Sequence, residues 1–273
     1  MSKISLSGAV TFLGLLITPL ANAHIGYSGR NFGTLIIGNP QQTITGQTVS
    51  SSFGWADATD SDWGDSHRGR FYRFTLTSTT DVVISVQRSD LLSQTGLADT
   101  LLPGFSLFQG LGHLSPAPAS HDSAALSVAS RPLGTEGSLR TTADWSIGND
   151  PVYNTPGNPA SGIKEAATLV NFTYIGHAAD GTSANFGSAP GLMGDGVADG
   201  FVTATFTNLA VGDYSIFVGG ANYGAQSVET TSPFPTYGVS VSVQAIPEPT
   251  TVGLLAASAL TFGFLRRRNR KVR

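Results

Sequence analysis

Five histidines, His24, His67, His113, His121 and His177, are the imidazoles of a 273-residue chain that has no cysteine. Without thiolates to compete, they are the obvious borderline-soft metal ligands. Carboxylates form a second group. Asp57, Asp60, Asp62 and Asp65 fall close together, and Asp180-Gly181 and Asp195-Gly-Val-Ala-Asp199-Gly200 make acidic, glycine-rich turns. Hard oxygen donors on tight loops suit calcium, so Asp57, Asp60, Asp62 and Asp65 are candidate calcium ligands. The EF-hand order of ligands is absent, however, and turns recruit Asp and Gly for their own conformational reasons.

Other chemistries are thinly represented. Gly-x-Ser-x-Gly, His-Glu-x-x-His and phosphate-loop patterns are missing, so no enzyme activity is expected. The lack of cysteine removes disulfides, thiolate metal sites and cysteine nucleophiles together. Trp55, Trp63, Trp145 and several tyrosines offer a face on which sugar rings could stack, although aromatics in a sandwich are usually core.

The elements that must position these side chains read as strands. Runs at 34–38, 42–49, 70–77, 82–87, 105–108, 169–175, 201–206, 214–218 and 237–243 are rich in β-branched and aromatic residues and are separated by Gly, Asn and Pro. With 33 Gly and 14 Pro, this predicts an all-β chain, a β-sandwich or jelly roll of about nine strands. The runs 70–77 and 82–87, joined by the turn Ser78-Thr-Thr-Asp81, read as a hairpin. Between about 109 and 168 the strand pattern lapses into a proline-rich insertion, a long loop with short helices expected at 121–130 and 137–144. Long loops in compact domains tend to carry function.

Charge sharpens the picture once the ends are set apart. Lys3 and the cluster Arg266, Arg267, Arg268, Arg270, Lys271 and Arg273 leave 8 basic residues against 17 acidic ones in residues 24–246, so this middle carries about −9 where the whole chain carries −3. No basic stripe exists to displace phosphate counterions, which argues against nucleic acid as a partner.

The two ends read as addresses. Residues 1–23 combine Lys3, an apolar stretch from Leu6 to Leu20 and Ala21-Asn22-Ala23, the pattern of a signal peptide cut by signal peptidase between Ala23 and His24. At the other end Pro247-Glu248-Pro249 precedes an apolar run, 250–265, and a basic tail, 266–273. At about 1.5 Å per residue the run reaches roughly 24 Å, a brief transmembrane helix whose flanking arginines can snorkel and stay on the cytoplasmic side. The expected organisation is therefore a signal peptide at 1–23, an exported β-domain at 24–245 and a C-terminal signal at 246–273.

This tripartite C-terminus resembles the PEP-CTERM sorting signal of Gram-negative bacteria. The resemblance implies recognition by an exosortase, passage through an inner-membrane-anchored precursor, and delivery to the cell surface or the extracellular exopolysaccharide matrix. In the middle, Arg70 to Leu76 set against Leu209 to Val218 resembles bacterial pre-peptidase C-terminal-like sandwiches, which implies a fold and no activity. Trp55 to Phe74, Leu102 to Leu114, Tyr174 to Ser188 and Tyr214 to Tyr223 look like surface-associated copper(I)-binding proteins of methane-oxidising bacteria. That family implies one copper(I) held by two imidazoles, sometimes beside an oxidised tryptophan, in copper acquisition. By position the ligands carry over to His67 and His113, which both lie just outside strand runs, and Trp63 carries over as a neighbour of the metal.

Two alternatives stand beside copper(I) binding. Cleavage after Ala23 would leave His24 at the mature terminus, where amino group and imidazole can chelate a copper as in histidine-brace oxygenases. The other is a structural or carbohydrate-binding protein of the exopolysaccharide layer without a redox metal.

Overall fold

The computed structural model describes residues 26–56, 63–94, 100–111, 138–147, 170–182, 192, 194–224, 229 and 234–247. Twelve strands run through them: β1 (Asn31–Leu35), β2 (Gln42–Ser50), β3 (Trp63–Asp65), β4 (Arg70–Leu76), β5 (Thr80–Ser89), β6 (Pro103–Gln109), β7 (Ser138–Arg140), β8 (Trp145–Ile147), β9 (Val170–Ala179), β10 (Phe201–Leu209), β11 (Gly212–Gly220) and β12 (Thr236–Ile246). Eight of them answer runs read from the sequence; the ninth run, 34–38, meets β1 only at Thr34 and Leu35, because the strand starts at Asn31 and ends before Ile36. The additional β3, β7 and β8 are three residues each, too short for an alternating pattern to register.

A six-stranded sheet in the order β1-β4-β11-β6-β9-β8 faces a four-stranded sheet in the order β10-β5-β12-β2, and β3 pairs with β7 as a separate ribbon. The space between the sheets is filled from both sides: Tyr72, Phe74 and Leu76 of β4 and Tyr214, Ile216 and Val218 of β11 meet Val82, Ile84 and Val86 of β5 and Val241 and Val243 of β12. Period-two alternation accounts for this. Every second residue of β4 and β11 points inward, and a slip of one residue would expose the whole set. β4 and β11 pair antiparallel from Arg70 opposite Val218 to Leu76 opposite Gly212.

Two expectations are corrected. Strands β4 and β5 are not a hairpin: β4 bonds to β1 and β11, whereas β5 bonds to β10 and β12, so residues 77–79 carry the chain from one sheet to the other. Both strands bury an apolar face, and crossing the roughly 10 Å between sheets lets these faces oppose each other. The short helix expected at 137–144 is not formed either; Ser138–Arg140 is β7, paired with β3 from Trp63 opposite Arg140 to Asp65 opposite Ser138. The helix expected at 121–130, the signal peptide and the C-terminal span at 250–265 lie outside the described residues. Among the described residues no helix is long and apolar enough to cross a membrane.

Candidate metal centre

The six-stranded sheet also buries its outer face. Phe71 of β4, Phe217 of β11, Phe108 of β6 and Phe172 of β9 form a second cluster with Trp55, Trp145 and Tyr223. Trp55 is fully buried on this face, and its indole Nε1–H donates to the Ser106 hydroxyl at 2.9 Å. The indole lies on the backbone of β6 at Gly104, where an added Cβ would come within 2.5 Å of the ring. Glycine is needed there for the close approach.

His177 sits against the same indole, ring centroids 5.4 Å apart at 48°. Its place depends on a bulge in β9. Leu107 and Phe108 of β6 stand opposite Gly176 and Tyr174, so Ile175 is the extra residue. Strict alternation would put Tyr174 and His177 on opposite faces; the extra residue re-aims the strand and brings both onto the outer one. The Tyr174 hydroxyl then lies 2.5 Å from His177 Nδ1, and burial lowers the His177 pKa below its ordinary value.

His67 lies on the turn from β3 to β4, at the end of the sandwich where β6 and β12 begin. The preceding Asp65 organises that turn. Its Oδ1 accepts the His67 backbone N–H at 2.9 Å and lies 2.8 Å from His67 Nδ1. The carboxylate side chain is 4% exposed and the imidazole 28%. A carboxylate can only accept, so Nδ1 carries the proton, and in the neutral ring Nε2 is the nitrogen with the lone pair. Metal-ligating histidines are commonly oriented in this way, by a carboxylate on the nitrogen that does not bind the metal.

Arg68 anchors the arrangement from behind. Its Nε is 3.3 Å from Asp65 Oδ2, and its guanidinium donates to the Ser51 hydroxyl. Phe53 and Phe234 sandwich the guanidinium, with ring centroids 4.3 Å and 3.9 Å away. Gly54, at φ +109°, leaves room for the Arg68 stem, which an added Cβ would meet at 2.6 Å. Trp63 stands two residues before Asp65 on β3, with the Arg140 guanidinium 5.8 Å from its ring.

The expected site residues therefore divide. His67, Asp65 and Trp63 share one short segment. His113, His24, Asp57, Asp60 and Asp62 lie outside the described residues, as do Ala23 and Glu248, while Pro247 is exposed at the end of β12 and Pro249 is again outside. Calcium finds no support: Asp65 is enclosed by His67 and Arg68, and among the described residues no three His, Asp or Glu side chains gather into a metal-sized group. A sugar-stacking platform loses two of its three tryptophans, because Trp55 and Trp145 are core. Sequence reading passed over Asp65 as an orienting group, although its i, i+2 spacing to His67 was the available signal, and it missed the Tyr174–His177 pair because a bulge leaves no such mark.

The end of β12 decides one question. Residues 245–269 are a PEP-CTERM protein-sorting motif. The PEP-CTERM motif takes in the last two residues of β12, Ala245 and Ile246, and it implies an exosortase as the processing partner. No curated protein matches the chain. Among the solved structures similar to it are two copper-binding proteins. One is CorA, a surface-associated copper-binding protein important in copper acquisition by Methylomicrobium album BG8, at 16% identity and a TM-score of 0.48, covering 81% of this chain and 98% of CorA. The other is the secreted protein MopE of Methylococcus capsulatus, in which an oxidised tryptophan facilitates copper binding, at 16% identity and a TM-score of 0.41, covering 82% of this chain and 91% of MopE.

Proposed function

We propose that this chain is an exported, exosortase-sorted surface protein that binds copper(I), with His67 as a nitrogen ligand and Trp63 beside the metal. Ahead of His113, β6 ends with Gln109 opposite Tyr214, at the other end of the sandwich from the His67 turn, so the sequence's pairing of His113 with His67 is not carried forward. The observation that carries the reading is the Asp65–His67 pair, with its 2.8 Å contact to Nδ1 and a ring that still reaches solvent. Copper(I) is a d¹⁰ ion suited to low coordination by neutral imidazoles. A carboxylate behind the ring raises the basicity of the ligating nitrogen and fixes its direction. In this reading residues 1–23 are removed after Ala23, residues 250–265 hold the precursor in the inner membrane, and the role is copper acquisition or handling at the cell surface.

The test is a mature chain beginning at His24, exported to the periplasm, with copper, zinc and calcium measured per chain by elemental mass spectrometry and copper(I) affinity by competition with a chromogenic chelator. Near-stoichiometric copper is expected, lost in His67→Ala and retained in His113→Ala. In Asp65→Asn the affinity should fall about 10- to 100-fold while the fold is retained. Full copper affinity in His67→Ala would overturn the assignment, and loss of copper in His113→Ala would restore His113 as a ligand. An extra residue before His24 should change nothing; loss of copper there would transfer the site to the terminal amino group.

A further inference from the structure

Several turns meet where β12 ends. Ile246 stands opposite Asp81 and Leu209 opposite Thr80 in one sheet, while Leu35 and Gly212 both stand opposite Leu76 in the other. The β1–β2 loop, the β4–β5 crossing and the β10–β11 turn therefore share one pole of the sandwich with the exit to the sorting motif. The Gln244 side-chain amide donates to the Asn39 carbonyl at 3.4 Å, tying the β1–β2 loop to the end of β12. Three large apolar side chains project into solvent at this pole: Ile36 (56% exposed) and Ile37 (42%) in the β1–β2 loop and Val211 (58%) in the β10–β11 turn.

The loops that carry them are uncharged. Residues 36–41, 77–79 and 210–212 contain no ionisable side chain. Asp81 is buried and accepts the Asn208 backbone N–H at 2.9 Å. Asp213 accepts the Thr75 hydroxyl at 2.5 Å and lies 3.8 Å from Arg73. The opposite pole carries His67, Asp90, Asp180, Asp195 and Asp199.

We propose that this pole is a membrane-seating surface on which Ile36, Ile37 and Val211 rest in the headgroup region of the bilayer. The proposal rests on reading residues 250–265 as the membrane span. The tether sets the geometry: Pro247, Glu248 and Pro249 alone separate Ile246 from the apolar run, and three residues reach about 10 Å at most when fully extended. A domain tied that closely must present the pole around Ile246 to the lipid. The loops that carry Ile36, Ile37 and Val211 have no ionisable side chain, so an anionic leaflet repels them least. β12 spans 11 residues at about 3.3 Å each, so seating would hold the His67 turn on the order of 30 Å outside the bilayer, facing the medium.

The chain has no cysteine, so single-cysteine labelling of the full-length precursor is direct. Ile37→Cys and Val211→Cys, with Val197→Cys on the far pole as the reference, would each carry a polarity-sensitive fluorophore. The proteins would be reconstituted in vesicles of phosphatidylethanolamine and phosphatidylglycerol containing a headgroup nitroxide lipid. Labels at 37 and 211 are expected to shift to the blue and to be quenched several-fold by the nitroxide, while the label at 197 does neither. Carbonate washing separates the two readings. A chain that resists carbonate but shows labels at 37 and 211 as exposed as at 197 overturns the seating alone. A chain released by carbonate overturns the membrane-span reading and the seating with it. A blue shift without nitroxide quenching marks contact with protein in place of lipid, and also overturns the proposal.

Discussion

The two faces of the six-stranded sheet are built from the same strands but by different rules. On the inner face Tyr72, Phe74, Leu76, Ile216 and Val218 follow strict alternation and meet another sheet, and the result is a core of apolar side chains. On the outer face Phe71, Phe108 and Phe217 begin in the same way, but among the described residues no second large sheet covers them. The cover is assembled from short pieces, Trp55 on its loop, β3 with β7, and Trp145 on β8, and with them come Ser106, Tyr174 and His177. Ordinary pairing can generate a hydrophobic core; polar groups at fixed positions entered here where regular pairing gave way to a bulge and a close loop contact.

Substitutions can break or sharpen this contrast. The largest effect is expected within the inner face. Phe74 is fully buried and stacked on Tyr214 with centroids 5.0 Å apart, so Phe74→Ala should cost about 3–5 kcal/mol in chemical unfolding. On the outer face, Gly104→Ala would drive a methyl into the Trp55 ring. A loss of about 1–3 kcal/mol is expected, with a shift in tryptophan emission as the indole moves. An unchanged emission spectrum would mean that the loop carrying Trp55 adapts freely, and the two faces would then be less different than their packing implies.

A pH experiment probes the end of β9. Burial raises the Asp180 pKa from 3.8 to about 6, against the opposing effect of backbone N–H groups from Asp199 and Gly200. A carboxyl whose folded pKa is raised favours folding while it is neutral. Its contribution is complete below about pH 4 and is lost as pH rises through about 6. Asp180→Asn should therefore gain stability relative to the native chain as pH is raised across that window, by an amount on the order of 1–3 kcal/mol. Parallel stability curves for the two proteins would contradict this. The smallest effect is expected for Ser106→Ala, which leaves the buried Trp55 Nε1–H without its acceptor at a cost of about 1 kcal/mol and should spare the inner core.

The sandwich was legible because alternation is a local property. Arg70-Phe-Tyr-Arg-Phe-Thr-Leu76 announces one buried face wherever it is placed, and such runs define the two sheets. Their partners were less legible. The sequence between residues 76 and 82 suits a tight hairpin and a crossing between sheets equally well, and only the demand that both apolar faces be covered selects the crossing. The metal centre divides in the same way. His67 stood out by residue type, whereas its orientation by Asp65 and the anchoring of that carboxylate by Arg68 involve the rings of Phe53 and Phe234, the latter far along the chain.

By itself the sequence determined the all-β class, the absence of thiol chemistry, the acidic character of residues 24–246 and the sorting motif at 245–269. Each of these follows from residue types in local order, which folding does not alter. The tertiary structure alone decided which nitrogen of His67 holds a proton, that Tyr174 and His177 share a face, and that Ile36, Ile37 and Val211 share a pole with the exit of β12. These depend on contacts between residues distant in the chain and on a single-residue bulge, and a change of one residue in strand register reverses the direction of every side chain that follows.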